Sequence, residues 1–65
     1  MNNGFKTVLS RLRVGDYFKF KNGRRMYRCG SFVANSNRRC YYDAKTGFTY
    51  FNAAADVSEV IYQRI

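Results

Sequence analysis

Residues 16–29 read Asp16-Tyr17-Phe18-Lys19-Phe20-Lys21-Asn22-Gly23-Arg24-Arg25-Met26-Tyr27-Arg28-Cys29. Aromatic and cationic side chains alternate on both sides of Asn22-Gly23. Asn-Gly is strongly favoured in two-residue hairpin turns, because both central residues of a type I′ turn need a positive φ. The stretch predicts a strand over 17–21, a turn at Asn22-Gly23 and a returning strand over 24–29. In that hairpin Lys21 faces Arg24, Phe20 faces Arg25, Lys19 faces Met26, Phe18 faces Tyr27 and Tyr17 faces Arg28. Side chains alternate across a strand, so Phe18, Phe20, Tyr27 and Cys29 share one face, which is a core face. Tyr17, Lys19, Lys21, Arg24, Met26 and Arg28 share the other, a solvent face rich in cations. A three-residue turn with a bulged Gly slips the second strand by one residue and leaves the first unchanged.

Working outward toward the N-terminus, residues 1–4 read as a frayed tail. Phe5, Val8, Leu9 and Leu12 follow helical spacing, but the run is short and stops before Gly15. It fits a short extended or single-turn segment packing Val8, Leu9 and Leu12 on the sheet, with a short helix as the alternative. Val14-Gly15-Asp16 is a turn: Gly15 gives conformational freedom, and Asp16 can bond nearby backbone N–H groups. Toward the C-terminus, residues 30–37 form a loop, with Phe32 and Val33 ending the second strand or anchoring that loop. Residues 38–42 read as a strand, Asp43-Ala44-Lys45-Thr46-Gly47 as a turn with Asp first and Gly last, and 48–51 as a strand. Residues 52–56 read as one helical turn. Residues 59–64 read as a last strand, because Val60, Ile61 and Tyr62 favour extended backbone. A helix over 53–63, capped by Asn52, is the alternative. The sum is a mainly all-β fold: a small five-stranded SH3-like barrel with one short helical turn, tail 1–4 and a single domain over 5–65.

Composition agrees with one small domain. Sixty-five residues bury about 60% of the surface that the unfolded chain exposes. Six Phe and six Tyr compensate, since each aromatic buries roughly 150–250 Å². No apolar run is long enough to span a bilayer, and residues 1–15 lack a signal-peptide core, which points to the cytoplasm. Cys29 and Cys40 are then expected as reduced thiols in or near the core, with a disulfide or a reactive thiol as alternatives. With no His and two Cys, a metal site lacks ligands. No cofactor motif is present, and no Ser has a neighbouring base, so an enzyme is not expected. The net charge is +8. Residues 1–50 carry eleven Lys/Arg against Asp16 and Asp43, whereas 51–65 carry Asp56 and Glu59 against Arg64. The basic field belongs to the body of the fold and attracts nucleic acid or an acidic protein.

The run Leu12-Arg13-Val14-Gly15-Asp16-Tyr17-Phe18, followed by Asn22-Gly23 and Tyr27, resembles a group of small bacteriophage and prophage accessory proteins. These share Leu-x-Val-Gly-Asp-x-Phe, a short turn and a Tyr. A later strand is matched by Gly47-Phe48 to Phe51, and an acidic turn with a Val-rich strand by Asp56 to Ile61. The resemblance spans most of residues 7–62 and implies an SH3-like fold and a phage-encoded protein in the host cytoplasm, but no chemistry. Residues 30–42 depart from the pattern, being more basic and more aromatic.

Two basic-aromatic stretches are the candidate site. Tyr17, Lys19, Lys21, Arg24, Arg25 and Arg28 form a hairpin patch suited to phosphate contact, with Tyr17 stacking on a base or packing on a protein. Arg38, Arg39, Tyr41 and Tyr42 form the second. Charges on edge strands also discourage aggregation, so solubility is a competing explanation. The leading expectation is a nucleic-acid-binding module. The alternative is a phage product that binds and inhibits an acidic host protein, such as a defence nuclease or a transcription component. A subunit of a larger assembly, using Tyr41, Tyr50 and Tyr62, is the third. No membrane or small-molecule substrate is expected as a partner.

Overall fold

The computed structural model describes residues 4–52 and 54–63. Six strands form one antiparallel sheet: β1 Gly4–Val8, β2 Tyr17–Phe20, β3 Tyr27–Phe32, β4 Arg39–Asp43, β5 Thr49–Asn52 and β6 Glu59–Gln63. Their order is β1-β6-β2-β3-β4-β5. The mainly β expectation holds, with six strands rather than five. The ladder does not close into a barrel: β1 and β5 are its two edges.

The sheet nevertheless curls. The Arg39 guanidinium in β4 donates to the carbonyl of Leu9, one residue past β1, at 3.0 Å. Four strand spacings separate β1 from β4, about 19 Å in a flat sheet. Only curvature brings them within reach of one side chain. The space between the edges is filled by three segments. Leu9–Arg11 forms a single 3₁₀ turn, Ser10 N–H donates to the carbonyl of Ala55 at 3.0 Å, and Ala55 N–H donates to that of Asn37 at 3.0 Å. Leu9, Leu12, Phe18, Cys29, Ala55 and Val60 are buried on the concave side. Full burial of one such aromatic stabilises a fold by roughly 1.5–3 kcal/mol.

The segment with helical spacing is thus extended through Val8 and then makes one turn. That turn buries Leu9 and Leu12 while Phe5 stays half exposed. Gly4 belongs to β1, opposite Gln63, so the expected tail is shorter by one residue; residues 1–3 lie outside the described ones. Gly15 has φ +95°, which side chains avoid. Around it Arg13 N–H donates to Asp16 Oδ2 at 2.8 Å and Asp16 N–H to the Arg13 carbonyl at 3.0 Å. The last segment is a strand and not a helix, and it inserts between β1 and β2. Before it, Ser58 N–H donates to the Ala54 carbonyl at 3.0 Å, closing one turn. Residues 64 and 65 lie outside the described ones.

The hairpin keeps its predicted register, Tyr17 opposite Arg28 and Phe18 opposite Tyr27, but not its predicted turn. Gly23 is not at positive φ, so the type I′ turn at Asn22-Gly23 is absent. Instead Gly23 N–H donates to the Phe20 carbonyl at 2.9 Å, placing Lys21 and Asn22 at the corners. The two strands then part, because each is drawn to its other neighbour. Lys21 N–H donates to the Glu59 carbonyl at 3.2 Å, and the Met26 carbonyl accepts from Ala44 N–H at 3.0 Å. Residues 24–26 are therefore unpaired with β2. The turn at Asp43 is as expected: Asp43 Oδ1 accepts from the N–H of Lys45 at 2.8 Å and of Thr46 at 3.0 Å, and Gly47 has φ +80°. Both cysteines are free, and burial pushes the Cys29 thiol up to about 11.

Candidate nucleic-acid interface

Strand alternation assigns the candidate residues to different surfaces. On the convex face, Tyr17 of β2, Arg28 of β3 and Tyr42 of β4 stand in one cross-strand row. The Arg28 guanidinium lies 5.1 Å from the Tyr17 ring centre and 5.9 Å from that of Tyr42. Both distances are within cation–π range. Arg28 Nε also donates to the Gly15 carbonyl at 3.3 Å, tying the row to the turn that precedes β2. Two residues along, Lys6 of β1 and Lys19 of β2 flank Ile61 of β6. Lys21 ends this face, and its Nζ lies 3.1 Å from Glu59 Oε1. Both partners are exposed, so this pair contributes little to stability.

Arg24 and Arg25 sit in the unpaired stretch after the turn. Arg24 is exposed, while Arg25 Nη1 reaches Asp43 Oδ2 at 3.3 Å. Asp43 itself is buried. The backbone donors of Thr46 and Lys45 hold its carboxyl below the usual range, and Arg25 adds to this. Arg38 is exposed at the opposite end, before β4.

Two of the candidates turn inward. Arg39 is buried, and its guanidinium bonds backbone carbonyls: Gly30 at 2.8 Å, Leu9 at 3.0 Å and Ser10 at 3.3 Å. It also lies 4.5 Å from the Phe32 ring centre. The pair Arg38-Arg39 is split by alternation, and only Arg38 is at the surface. The structure thus corrects the expectation of a surface Arg39. Tyr41 joins the concave aromatic cluster, with ring centres 5.1 Å from Tyr27, 5.2 Å from Phe20, 5.2 Å from Tyr50 and 5.9 Å from Phe18. Burial, with Tyr27 and Tyr50 beside it, raises its hydroxyl pKa. This position removes Tyr41 from the convex surface.

Lys6 and Ile61 were not among the candidates. They join the face because β6 inserts between β1 and β2, a pairing of segments far apart in sequence. The only local hint was the cationic position of Lys6 in an extended run. Among the described residues, two cations contact a carboxylate, Lys21 and Arg25. Most of the positive charge is left facing solvent.

Comparison with protein-family models, curated proteins and solved structures finds no match to this chain. Among the described residues no helix is long and apolar enough to cross a membrane.

Proposed function

We propose that the protein is a small binding module that contacts nucleic acid through the convex face of its sheet. One observation carries this reading: the Tyr17–Arg28–Tyr42 row stands beside Lys6 and Lys19 on one surface. Cations at strand spacing match a phosphate backbone, and each phosphate contact releases about one counterion. The tyrosines offer stacking area, although Arg28 already engages both rings. The surface therefore favours backbone contact over base reading. The similarity of residues 7–62 to small phage accessory proteins, with an SH3-like fold and a host-cytoplasmic setting, belongs to the same proposal.

A specific observation supports the second reading, an acidic host protein as partner. Tyr17, Arg28, Tyr42 and Ile61 form an aromatic-arginine patch of the kind that anchors protein interfaces. The test is a pull-down of the intact chain from bacterial lysate with and without nuclease, paired with the double variant Lys6→Glu, Lys19→Glu. Neither lysine side chain forms an ion pair among the described residues, and the substitutions leave the backbone ladder unchanged, so folding is checked by circular dichroism and expected to persist. Nucleic-acid binding predicts capture that disappears with nuclease and with the double variant. One protein that survives nuclease supports the acidic-partner reading. Unchanged binding by the folded double variant would falsify the convex-face assignment.

A further inference from the structure

At the β1 edge of the sheet, a hollow of about 310 Å³ lies between β1 and the 11–16 segment. Its size falls within the range of small-ligand sites, roughly 300–1,000 Å³. The hollow lies on the concave side and shares no residue with the convex row.

Its lining has three kinds of chemistry. The first is aromatic: Phe5 and Tyr62 face one another across β1 and β6, with ring centres 6.2 Å apart and planes inclined by 35°. Phe5 is half exposed at this edge, so part of its ring borders the hollow. The second is cationic. Arg11 and Arg13 bracket the buried Leu12, and both line the hollow. Both are exposed, and neither forms an ion pair among the described residues. The third is oxygen. Thr7 supplies a hydroxyl and Asp16 a carboxylate, and Asp16 Oδ2 is held in place by Arg13 N–H at 2.8 Å.

We infer that this hollow is a second binding site, for a ligand that joins a planar heteroaromatic ring to a phosphate through a hydroxylated linker. That is the chemistry of a nucleotide. The ring packs on Phe5 and Tyr62, where base–aromatic contact contributes roughly 1–3 kcal/mol. The phosphate takes charge-assisted hydrogen bonds from Arg11 and Arg13, whose planar forks suit phosphate oxygens. Asp16 sets the selectivity. One carboxylate against two guanidiniums leaves a modest positive field, which weakens a bare phosphate and favours one that brings hydroxyl donors. The Arg13–Asp16 turn is closed by two hydrogen bonds, so the Asp16 carboxylate is held in place before the ligand arrives. The same chemistry is offered by a free nucleotide and by the phosphorylated end of a strand.

The experiment is an amide-resolved NMR titration of the intact 65-residue chain. The probes are adenosine 5′-monophosphate, adenosine, inorganic phosphate, and one short DNA oligonucleotide with and without a 5′-phosphate. Adenosine monophosphate is expected to shift Thr7, Arg13 and Asp16 and to bind about tenfold or more tighter than adenosine or phosphate alone, because each carries half of the recognition. The double variant Arg11→Ala, Arg13→Ala is expected to lose about tenfold or more of that affinity, and Phe5→Leu to lose a smaller part. These residues are exposed, so folding is expected to persist; the undisturbed spectrum of the β2–β4 region reports it. Shifts confined to the 5′-phosphorylated oligonucleotide assign the site to a strand end, and shifts with the mononucleotide assign it to a free nucleotide. The inference is overturned if neither probe shifts these amides, or if the arginine double variant binds as the native chain does. Lys6→Glu, Lys19→Glu separates this site from the convex face. That variant is expected to lose oligonucleotide binding along the sheet and to keep mononucleotide binding.

Discussion

The two faces of the central strands are built from the same kinds of residue and do opposite things. On the concave face Phe18, Phe20, Tyr27, Tyr41 and Tyr50 pack ring against ring, with centres 5.1–5.9 Å apart and mostly edge-to-face. On the convex face Tyr17 and Tyr42 meet Arg28 instead. Tyr17 and Phe18 are neighbours in the chain, as are Tyr41 and Tyr42. What separates them is the period of two along a strand. Arginine shows the same division: Arg28 lies on the convex surface between two rings, while Arg39 is buried among carbonyls. Residue type alone does not tell a surface aromatic from a core aromatic; the side of the sheet does.

This contrast can be broken experimentally. The largest effect is expected for Phe18→Ala, which removes the ring that touches Phe20, Tyr27 and Tyr41. A fully buried Phe truncated to Ala costs about 3–5 kcal/mol, a large share of a small domain's stability. Loss of cooperative urea unfolding checks it; a variant within about 1 kcal/mol of native stability would place Phe18 outside the core.

Next comes Arg39→Met, which keeps volume but leaves the carbonyls of Leu9, Ser10 and Gly30 without that donor. Buried acceptors left unsatisfied cost about 1–3 kcal/mol each, less where water replaces the donor. The expected loss is about 2–4 kcal/mol in chemical denaturation. Faster hydrogen exchange at Ser10 and Ala55 is expected as well, because these amides hold the segments that fill the space between the sheet edges. An Arg39→Met protein as stable as native, with no change in exchange, would show that the guanidinium does not hold the curl.

The third effect is pH-dependent and belongs to Asp43. Its carboxyl pKa is lowered in the fold, by the backbone donors of Thr46 and Lys45 and then by Arg25. A group whose folded pKa lies below its unfolded value stabilises above the unfolded value, about 3.9 for Asp, and the stabilisation is lost as pH falls through the folded one. The urea midpoint is expected to drop as pH falls below about 4. Asp43→Asn should be less stable at neutral pH and flatter across that window. An unchanged acid profile in Asp43→Asn would assign the acid sensitivity elsewhere.

The smallest stability effect is expected on the convex face. Tyr42→Ala and Lys19→Ala should each change stability by about 1 kcal/mol or less, while Lys19→Ala lowers the salt slope of nucleic-acid binding by about one. Parallel titrations at several salt concentrations check this. A large stability loss with unchanged binding would reverse the roles of the two faces.

Much of this organisation was readable in the chain. Alternation around residues 17–20 and 27–29 placed Phe18, Phe20, Tyr27 and Cys29 inward, and the structure agrees. Asp43 and Gly47 marked their turn, because an Asx acceptor and a positive-φ glycine are local requirements. The Asn22-Gly23 turn failed for a non-local reason. Its flanking backbone groups bond to Glu59 of β6 and to Ala44 in the turn after β4, and these distant partners outcompete a type I′ turn at Asn22-Gly23. The Arg38-Arg39 pair was read as one unit, yet the bulge between Cys29 and Phe32 leaves the Gly30 carbonyl open to the inward Arg39.

The sequence by itself determined the β class, the inward side of Phe18, Phe20 and Tyr27, the hairpin register and the positive field. Each follows from a period, a turn chemistry or a charge count that needs no distant partner. Only the tertiary structure decided that β6 inserts between β1 and β2, that six strands curl without closing, and that Arg39 turns inward. It also decided that Lys6 joins Lys19 on one face and that Arg11 and Arg13 share a hollow with Phe5 and Tyr62. Those outcomes depend on which distant backbone groups find each other, a competition in free energy that no local pattern records.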